Sequence, residues 1–407
     1  MSFNPLQFIA RRPAPTGGAF LPVLDALRGI AVLSVFVQHL GDTHLPLVKV
    51  HIETAVPGAI APWIMTVLHH AHWGVDLFFV LSGFSLAQPI LSKLSRDKTD
   101  RFVASPAWIR AFALRRAARI YPAYLVGLVL VLAGAPRLMS HSAFGRSLAA
   151  HLMLLQGYFT PGGLVFIGAA WSLSTEVSFY LVWPWLAPRI VFRPDSEKCT
   201  HAHRQAWIAA LAIIVGAWAF RAVAQHISLL PDAPPWLFEA SQRRWALSRM
   251  DQFVLGALAA SLHAQVVYTA RERLEKAAPA LVALALFVLV PAFYLEGSLY
   301  REPLGSWPYA VISLATALLV FSAASLRESA AKWLFPPPLR AIGVISYGVF
   351  LNHQLAIGVT ARWAGQGSLV ALAKHAGAAL SLSLLIGALS WMFVERPAME
   401  WAAARKR

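Results

Sequence analysis

Two ionisable side chains, Arg28 and His39, lie eleven positions apart in an otherwise mostly apolar stretch. In an α-helix, eleven residues turn through about 1100° and rise roughly 16 Å, so both side chains share one face. Histidine is the side chain whose ordinary pKa best suits proton transfer near neutral pH. If this helix crosses a bilayer, Arg28 lies near one surface and His39 near mid-depth, where an ionisable group predicts function.

A basic cluster follows in the segment ALRRAARIYP. Arg116 and Arg119 are three residues apart and share a helical face where the third apolar run begins, with Arg115 beside them. Two guanidinium forks at that position suit a phosphate-bearing ligand. Basic residues beside a span also act as topology signals, so phosphate binding and a purely topological role both stay open.

An acid and a second histidine lie in later apolar runs. Glu176 occurs among aromatic residues in AWSLSTEVSFYLVWPW. A carboxylate in a span is costly, so Glu176 is expected to be protonated, paired or turned toward a polar cavity, and a functional role is favoured. His353, in SYGVFLNHQL, is either part of the same site or a hydrogen bond between helices.

The segment GVDLFFVLSGF contributes further supporting candidates. Asp76 requires a partner for its charge, whereas Ser82, Gly83 and Phe84 fit either a site or close helix packing. Asp25, in the first apolar run, is also a supporting candidate.

No metal site is expected. The histidines His69, His70 and His72 have no carboxylate in helical register, and Cys199 is the only cysteine. A single cysteine also excludes an intrachain disulfide and a cysteine-ligated zinc or iron–sulfur centre.

The elements that must position these residues are membrane helices. Hydrophobic residues make up 58% of the 407 residues and charged residues 13%, and the mean hydropathy is +0.58. Apolar runs of about 18 to 22 residues are long enough to cross a bilayer, so the chain is predicted to be an all-α, multi-pass membrane protein. The net charge of +16 lies mainly in short connections, which argues against a nucleic-acid partner.

Ten spans fit the apolar runs best. If both termini are cytoplasmic, most Lys and Arg residues lie in segments on the cytoplasmic side of the membrane. The region 137–165, with TPGG at 160–163, is expected to be re-entrant or superficial. The predicted spans are 24–44, 73–92, 119–136, 166–188, 206–224, 250–268, 278–296, 307–325, 340–361 and 369–393.

Three regions are expected along the chain: a cytoplasmic segment 1–22, a membrane domain 23–397, and a basic cytoplasmic tail 398–407. The pair Arg11 and Arg12 resembles an export signal, but the following run lacks a small-residue cleavage site and is better explained as a first span. The sequence ERP at 395–397 is predicted to be an interfacial charge pair at which the last helix stops.

The ordered set of motifs resembles the acyltransferase-3 family of bacterial membrane-bound O-acyltransferases. The motifs are LDALRGIAVLSVFVQH, GVDLFFVLSGF, RRAARIYP, AWSLSTEVSFY, RMDQFVLGALAA, SYGVFLNH and ERP. The resemblance covers nearly the whole chain and implies about ten membrane helices. It also implies Arg28 and His39 as the essential pair, Arg116 and Arg119 as cytoplasmic-loop arginines, and Glu176 as the acid of the fourth span.

Some positions depart from the family pattern. Val177 and Ser178 stand where members often carry a second acid and an amide, and Asn352 stands where a tryptophan is frequent. Some relatives carry an additional SGNH domain after the membrane part, and this chain is expected to act without one in cis.

The resemblance implies transfer of an acyl group, most often acetyl from acetyl-CoA, to a hydroxyl of a cell-surface or lipid-linked carbohydrate at the bacterial inner membrane. Lipopolysaccharide, exopolysaccharide and a macrolide-like product all remain possible acceptors. We expect His39 to act as the base or as an acylated nucleophile, Glu176 to orient it or accept its proton, and Ser82 or a backbone amide to stabilise the oxyanion. The alternatives are a transporter with a buried His, Glu and Arg relay, or a scaffold without chemistry.

Overall fold

The computed structural model is all-helical across the part of the chain that it describes, where the only bridge between extended segments joins Arg101 and Phe192. The described residues are 21–55, 57–99, 101–158, 164–192, 200–234, 245–299, 305–364 and 368–405.

Fourteen α-helices are numbered in chain order within these ranges. They are α1 Pro22–Ala55, α2 Ala61–His69, α3 Trp73–Asp97, α4 Pro106–Gly134, α5 Phe144–Leu152, α6 Trp171–Ile190, α7 Thr200–Ser228, α8 Ala246–Leu299, α9 Trp307–Ala324, α10 Glu328–Leu334, α11 Pro337–Val344, α12 Ser346–Ala364, α13 Leu369–Ser390 and α14 Arg396–Ala404.

Among the described helices, seven are long and apolar enough to cross a membrane. A further pair, α11 and α12, satisfies the same test together but is bent by 80°. The chain is therefore a multi-pass membrane protein. The seven are Pro22–His44, Trp73–Asp97, Pro106–Gly134, His203–Ser228, Ala246–Leu299, Trp307–Ala324 and Leu369–Ala404.

The difference from ten predicted spans comes from three places. The predicted spans 250–268 and 278–296 fall within the single helix α8, which is kinked at Ala270. The predicted span 166–188 corresponds to α6, which is not among the seven and begins with a polar, hydroxyl-rich half around Glu176. The predicted span 340–361 corresponds to the bent pair α11 and α12.

Close backbone crossings hold the helices that carry the candidate residues. A Cβ on Gly83 of α3 would overlap the Phe253 carbonyl of α8, and one on Gly256 would overlap the Val80 carbonyl in return. A Cβ on Gly343 of α11 would likewise overlap the Asp25 carbonyl of α1. Glycine at these crossings lets the helices approach closely, so α3 is fixed against α8 and the start of α1 against α11.

The predicted helix stop at ERP is wrong. A π-helical turn over Trp391–Glu395 leads directly into α14, in whose first turn Pro397 lies. Proline is tolerated there because the first N–H groups of a helix need no partner within that helix. Arg396 pairs with Glu400 at 2.8 Å, and Glu395 accepts a hydrogen bond from Ser390. The TPGG segment 160–163 lies outside the described residues, within the range 159–163.

Candidate active site

A cavity of about 650 Å³ opens among α1, α3, α4, α6, α12 and α14. On α3 its wall runs from Val75 to Arg96, which corresponds to about 30 Å along the helix axis. One end is basic, and the other is bounded by aromatic side chains that include Phe78 and Phe350. A long cavity with a charged mouth and an apolar end suits an elongated, amphipathic ligand.

Five basic side chains line the mouth: Lys93, Arg96, Arg115, Arg116 and Arg119. Within the described structure, Nη1 of Arg115 and Nε of Arg116 are buried without a hydrogen-bond partner. Buried N–H groups cost free energy when they are unpaired, and guanidinium groups bind phosphate well. This end of the cavity therefore has hydrogen-bond donors that are available to an anionic ligand.

Arg28 lines the same cavity and is held in place on two sides. Its Nη1 donates to Asp25 Oδ1 at 2.8 Å, and its Nη2 donates to Ser85 Oγ at 2.7 Å. Asp25 is thus the partner of Arg28 on the same helix, three residues away, while Ser85 fixes the guanidinium from α3. The arginine predicted from the first motif therefore belongs to the group that contains Arg116 and Arg119.

Glu176 faces the cavity from α6. Its Oε1 accepts hydrogen bonds from Ser82 Oγ at 2.9 Å and from the Tyr180 hydroxyl. The Arg116 guanidinium carbon lies 5.4 Å from the centre of the Tyr180 ring, a cation–π arrangement. The carboxylate that the sequence places in an apolar run is therefore paired and turned toward a polar cavity. Because the Ser82 hydroxyl hydrogen goes to Glu176, it is not directed at an oxyanion near His39.

His39 forms a separate pair with His353, and neither is among the described residues that line the cavity. Their ring centres are 4.8 Å apart, and His353 Nε2 lies 3.2 Å from His39 Nδ1. His353, rather than Glu176, is therefore the side chain placed against the His39 imidazole, and it makes a contact between α1 and α12.

The hydrogen-bond network assigns the tautomers of both rings. His39 Nδ1 lies 2.9 Å from the Val35 carbonyl oxygen, and His353 Nδ1 lies 2.7 Å from the Phe350 carbonyl oxygen. A carbonyl oxygen only accepts, so each Nδ1 carries a hydrogen and each neutral ring has its lone pair on Nε2. The His39 Nδ1–H is then shared between two acceptors, the Val35 carbonyl oxygen and His353 Nε2. His39 Nε2 is left as the basic atom.

The remaining supporting candidates serve packing and charge pairing. Gly83 makes the α3–α8 crossing, and Phe84 is fully buried in the core. Asp76 accepts hydrogen bonds from Arg249 and from Gln252 of α8. The need of Asp76 for a partner is met at some distance from the basic mouth.

A second ion pair lies beside the first. Asp251 accepts from Arg221 Nη2 at 3.0 Å and from Trp218 Nε1 at 2.9 Å, and both charged side chains are almost fully buried. Arg221 and Arg249 also lie over the same Tyr309 ring, at 5.1 and 5.5 Å. We name these two pairs, Asp76–Arg249 and Asp251–Arg221, the buried ion-pair cluster.

The histidines near α2 have local partners. His70 Nδ1 donates to the Thr66 carbonyl oxygen at 2.8 Å, and its Nε2 lies 2.6 Å from Glu296 Oε2. The acid absent from helical register is thus supplied by α8. No group of three or more His, Cys, Asp or Glu side chains that could hold a metal ion occurs among the residues described.

Several site residues escape sequence reasoning. Tyr180 lies one helical turn after Glu176, a spacing that could have revealed their hydrogen bond. Ser85 directly follows the motif that contains SGF, and its spacing of three residues from Ser82 places both on one helical face. Met399 and Ala403 line the cavity from α14, beyond the point where the last helix was expected to stop. The predicted tail 398–407 placed both residues outside the membrane domain.

Three known proteins with similar sequences are named as acyltransferases. Acyltransferase MdmB from Streptomyces mycarofaciens is 27% identical over 404 residues, covering 95% of this chain and 93% of that protein. Peptidoglycan O-acetyltransferase OatA from Listeria monocytogenes is 22% identical over 354 residues, covering 84% of this chain and 50% of that protein. O-acetyltransferase OatA from Staphylococcus aureus is 22% identical, covering 93% of this chain and 57% of that protein.

Against the two OatA proteins, the chain spans about half of the relative's length. No solved structure matched the chain. The acyltransferase-3 model, described as an acyltransferase domain, matches residues 21–394. A match over nearly the whole chain, with the motifs that surround Arg28, His39 and Glu176 inside it, establishes membership: the chain belongs to the acyltransferase-3 family and is an acyltransferase.

Proposed function

We propose that the protein transfers an acetyl group from acetyl-CoA to a hydroxyl of a cell-surface or lipid-linked carbohydrate at the bacterial inner membrane. One arrangement carries this proposal. A cavity whose mouth has guanidinium N–H groups without a partner among the described residues extends toward the side of the protein where His39 lies, and the neutral His39 ring carries its hydrogen on Nδ1. The mouth can hold a phosphate-bearing donor, and the histidine can remove a proton from a hydroxyl.

The donor is held by charge at one end of the cavity. Coenzyme A carries its phosphates at the end opposite its thioester, so the phosphates bind near Arg115, Arg116 and Arg119 while the arm extends past Arg28. Hydrogen bonds from charged donors contribute about 1.5–3 kcal/mol each. The buried N–H groups of Arg115 and Arg116 are the part of the chain that fits this ligand most closely.

His39 Nε2 is the base in this mechanism. It takes the proton of the acceptor hydroxyl as that oxygen attacks the thioester carbonyl carbon. The new carbon–oxygen bond forms, the carbon–sulfur bond breaks, and the departing thiolate receives the proton from His39 to give free coenzyme A. His353 accepts from His39 Nδ1–H throughout, which keeps the ring in one orientation and stabilises the imidazolium.

The named relatives and the proposed topology support this class of acceptor. Two of the relatives are O-acetyltransferases, and one of these is named for peptidoglycan. We place both termini of this chain in the cytoplasm. The number of spans is then ten, if the kinked α8 is counted as two spans and the bent pair and α6 are counted as one span each. The donor then enters from the cytoplasm, and a glycan on a lipid carrier or at the cell surface, such as lipopolysaccharide or an exopolysaccharide, meets it within the membrane.

The transporter alternative has weaker support. Membership of an acyltransferase family accounts for the buried Arg, His and Glu residues without a substrate relay. A transporter moves its substrate without consuming a thioester, so donor consumption separates the two functions.

The test uses membrane vesicles from expressing cells, oriented with the cytoplasmic face outward. Vesicles receive radiolabelled acetyl-CoA, and label in membrane glycans and released thiol are both measured. We expect equal amounts of each, and we expect His39→Ala to lose both while remaining in the membrane. The matched control is His263→Gln, which removes a half-buried histidine that lies against the Ala324 carbonyl and should leave transfer unchanged. Full transfer by His39→Ala would contradict the mechanism.

A further inference from the structure

Two aromatic rings lie at the junction between the cavity and the histidine pair. Phe78 of α3 and Phe350 of α12 both line the cavity, and their ring centres are 5.8 Å apart at an angle of 73°. The Phe350 ring centre is also 6.0 Å from that of His353, which in turn touches His39. The contacts therefore run in order from the cavity, through the two phenylalanines, to the histidines.

The axial positions of these residues agree with that order. Helices α1 and α3 are antiparallel, since Arg28 bonds Ser85 while Ser34, further along α1, bonds the Ala71 carbonyl just before α3. Gly74 of α3 packs against Ala31 of α1, so the α1 backbone at Arg28 is level with about Phe78, and the Arg28 guanidinium extends from there toward Ser85. Phe78 precedes Ser85 by seven residues and therefore lies roughly 10 Å beyond the level of the guanidinium, and His39, eight residues after Ala31, lies further on in the same direction. Phe78 thus lies between the two levels.

We infer that Phe78 and Phe350 set the length of acyl chain that this enzyme transfers, and that they restrict it to short chains such as acetyl. The inference rests on the proposed function, because it concerns the acyl group carried by coenzyme A. An acyl carbon that meets a hydroxyl activated by His39 must reach the boundary formed by these rings. Each extra methylene must then find space beside them.

Packing explains why that space is small. Phe350 is buried, with 6% of its surface exposed, and is held between Phe78 and His353. Close-packed interiors have few voids larger than a water molecule. A fixed pocket discriminates against one additional methylene by about 10- to 200-fold. Phe78 is less buried than Phe350 and faces the cavity directly, so its ring is the one that must move when the acyl group reaches His39.

The test compares two donors in the vesicles described above, acetyl-CoA and butyryl-CoA, with the His39→Ala background subtracted. The measured quantity is the ratio of kcat/KM for butyryl-CoA to that for acetyl-CoA. We expect the wild type to prefer acetyl, and we expect Phe78→Leu and Phe350→Leu each to raise the ratio by about 16-fold. The reason is that the smaller side chain admits two further methylenes, each of which gains about fourfold when buried.

The matched control is Phe102→Leu. Phe102 is also a buried aromatic residue of the cavity wall, but it lies near the basic mouth against Trp108. Its loss is expected to change KM for both donors alike and to leave their ratio unchanged. Two variants at the boundary keep the test valid if one of them fails to fold.

Three results would overturn the inference. The first is butyryl transfer by the wild type as efficient as acetyl transfer. The second is an unchanged ratio in both boundary variants while acetyl transfer persists, which would leave the proposed function intact. The third is transfer from neither acyl-CoA by the wild type, which would overturn the proposed function together with the inference.

Discussion

The cavity mouth and the buried ion-pair cluster both place arginines within the helical body, yet their charges are handled differently. In the cluster, Arg221 donates to Asp251, and Arg249 donates to Asp76. At the mouth, Arg115 and Arg116 keep buried N–H groups without a partner among the residues described. The acids that line the cavity, Asp25 and Glu176, are bonded by Arg28, Ser82 and Tyr180.

This contrast shows that an arginine in a membrane helix does not by itself mark a binding site. A paired arginine is part of the folded structure, because removal of its acid leaves a buried charge. An arginine with unsatisfied donors beside a cavity is arranged for a ligand. Variants in the cluster should therefore lower stability, and variants at the mouth should lower affinity for the donor.

The largest effect is expected from Asp251→Ala in the cluster. Arg221 would lose its carboxylate partner in a buried setting, and breaking such a pair costs about 3–5 kcal/mol. Thermal unfolding of the purified protein should show a clear fall in Tm, while activity per folded molecule stays near that of the wild type.

The double variant Asp251→Leu with Arg221→Met is the control for that prediction. It removes both charges, so much of the lost stability should return. If the single variant were as stable as the wild type but lost donor binding, the cluster would be a site rather than a structural element.

A smaller effect, on binding alone, is expected from Arg116→Gln and Arg115→Gln. Loss of one charged donor to a phosphate should raise KM for acetyl-CoA about 10- to 100-fold, since such a hydrogen bond contributes about 1.5–3 kcal/mol. Tm should not change. Arg110→Gln, an exposed arginine on the same helix α4, is the matched control. A change of Tm without a change of KM would reverse the contrast between the two regions.

A decrease of about tenfold in kcat is expected from His353→Ala, by analogy with loss of the hydrogen-bond partner that orients a metal-bound histidine. KM for acetyl-CoA should not change, because His353 lies outside the cavity. His353→Gln should recover part of kcat, because the glutamine Oε1 can accept from His39 Nδ1–H. Equal losses in the two variants would argue against a positioning role.

The smallest effect is expected on the surface, at Glu328 of α10. Its hydrogen bond and attraction to Lys332 lower the pKa of this exposed carboxylate. A lowered pKa contributes stability at neutral pH that is lost as the pH falls through the folded-state value. Because solvent screens the pair, Glu328→Gln should leave Tm at pH 7 indistinguishable from the wild type. A large fall in Tm would mean that an exposed ion pair stabilises this protein as strongly as a buried one.

Individual helices and their polar faces could be predicted well from the sequence, because apolar length and helical spacing are local properties. The spacing in ALRRAARIYP placed Arg116 and Arg119 on one face of α4, and the structure has both of them, together with Arg115, lining one cavity. The cost of a buried carboxylate correctly indicated a polar environment for Glu176.

Contacts between distant segments could not be predicted in this way. His39 and His353 are far apart in the sequence, and spacing within one helix does not specify which helix lies beside it. The kink at Ala270 falls in the predicted connection 269–277, but the sequence did not reveal that one helix continues through it. The phenylalanine boundary depends on how α3 meets α12, which is likewise a property of packing.

The cavity wall combines residues from the two ends of the chain. Leu21 precedes α1, whereas Met399 and Ala403 belong to α14. Because chains are synthesised and begin to fold from the N-terminus, the wall of this cavity is completed only when α14 has left the ribosome. A nascent chain therefore has an incomplete cavity throughout most of its insertion, and the donor site that we propose there forms only after the membrane body has been assembled.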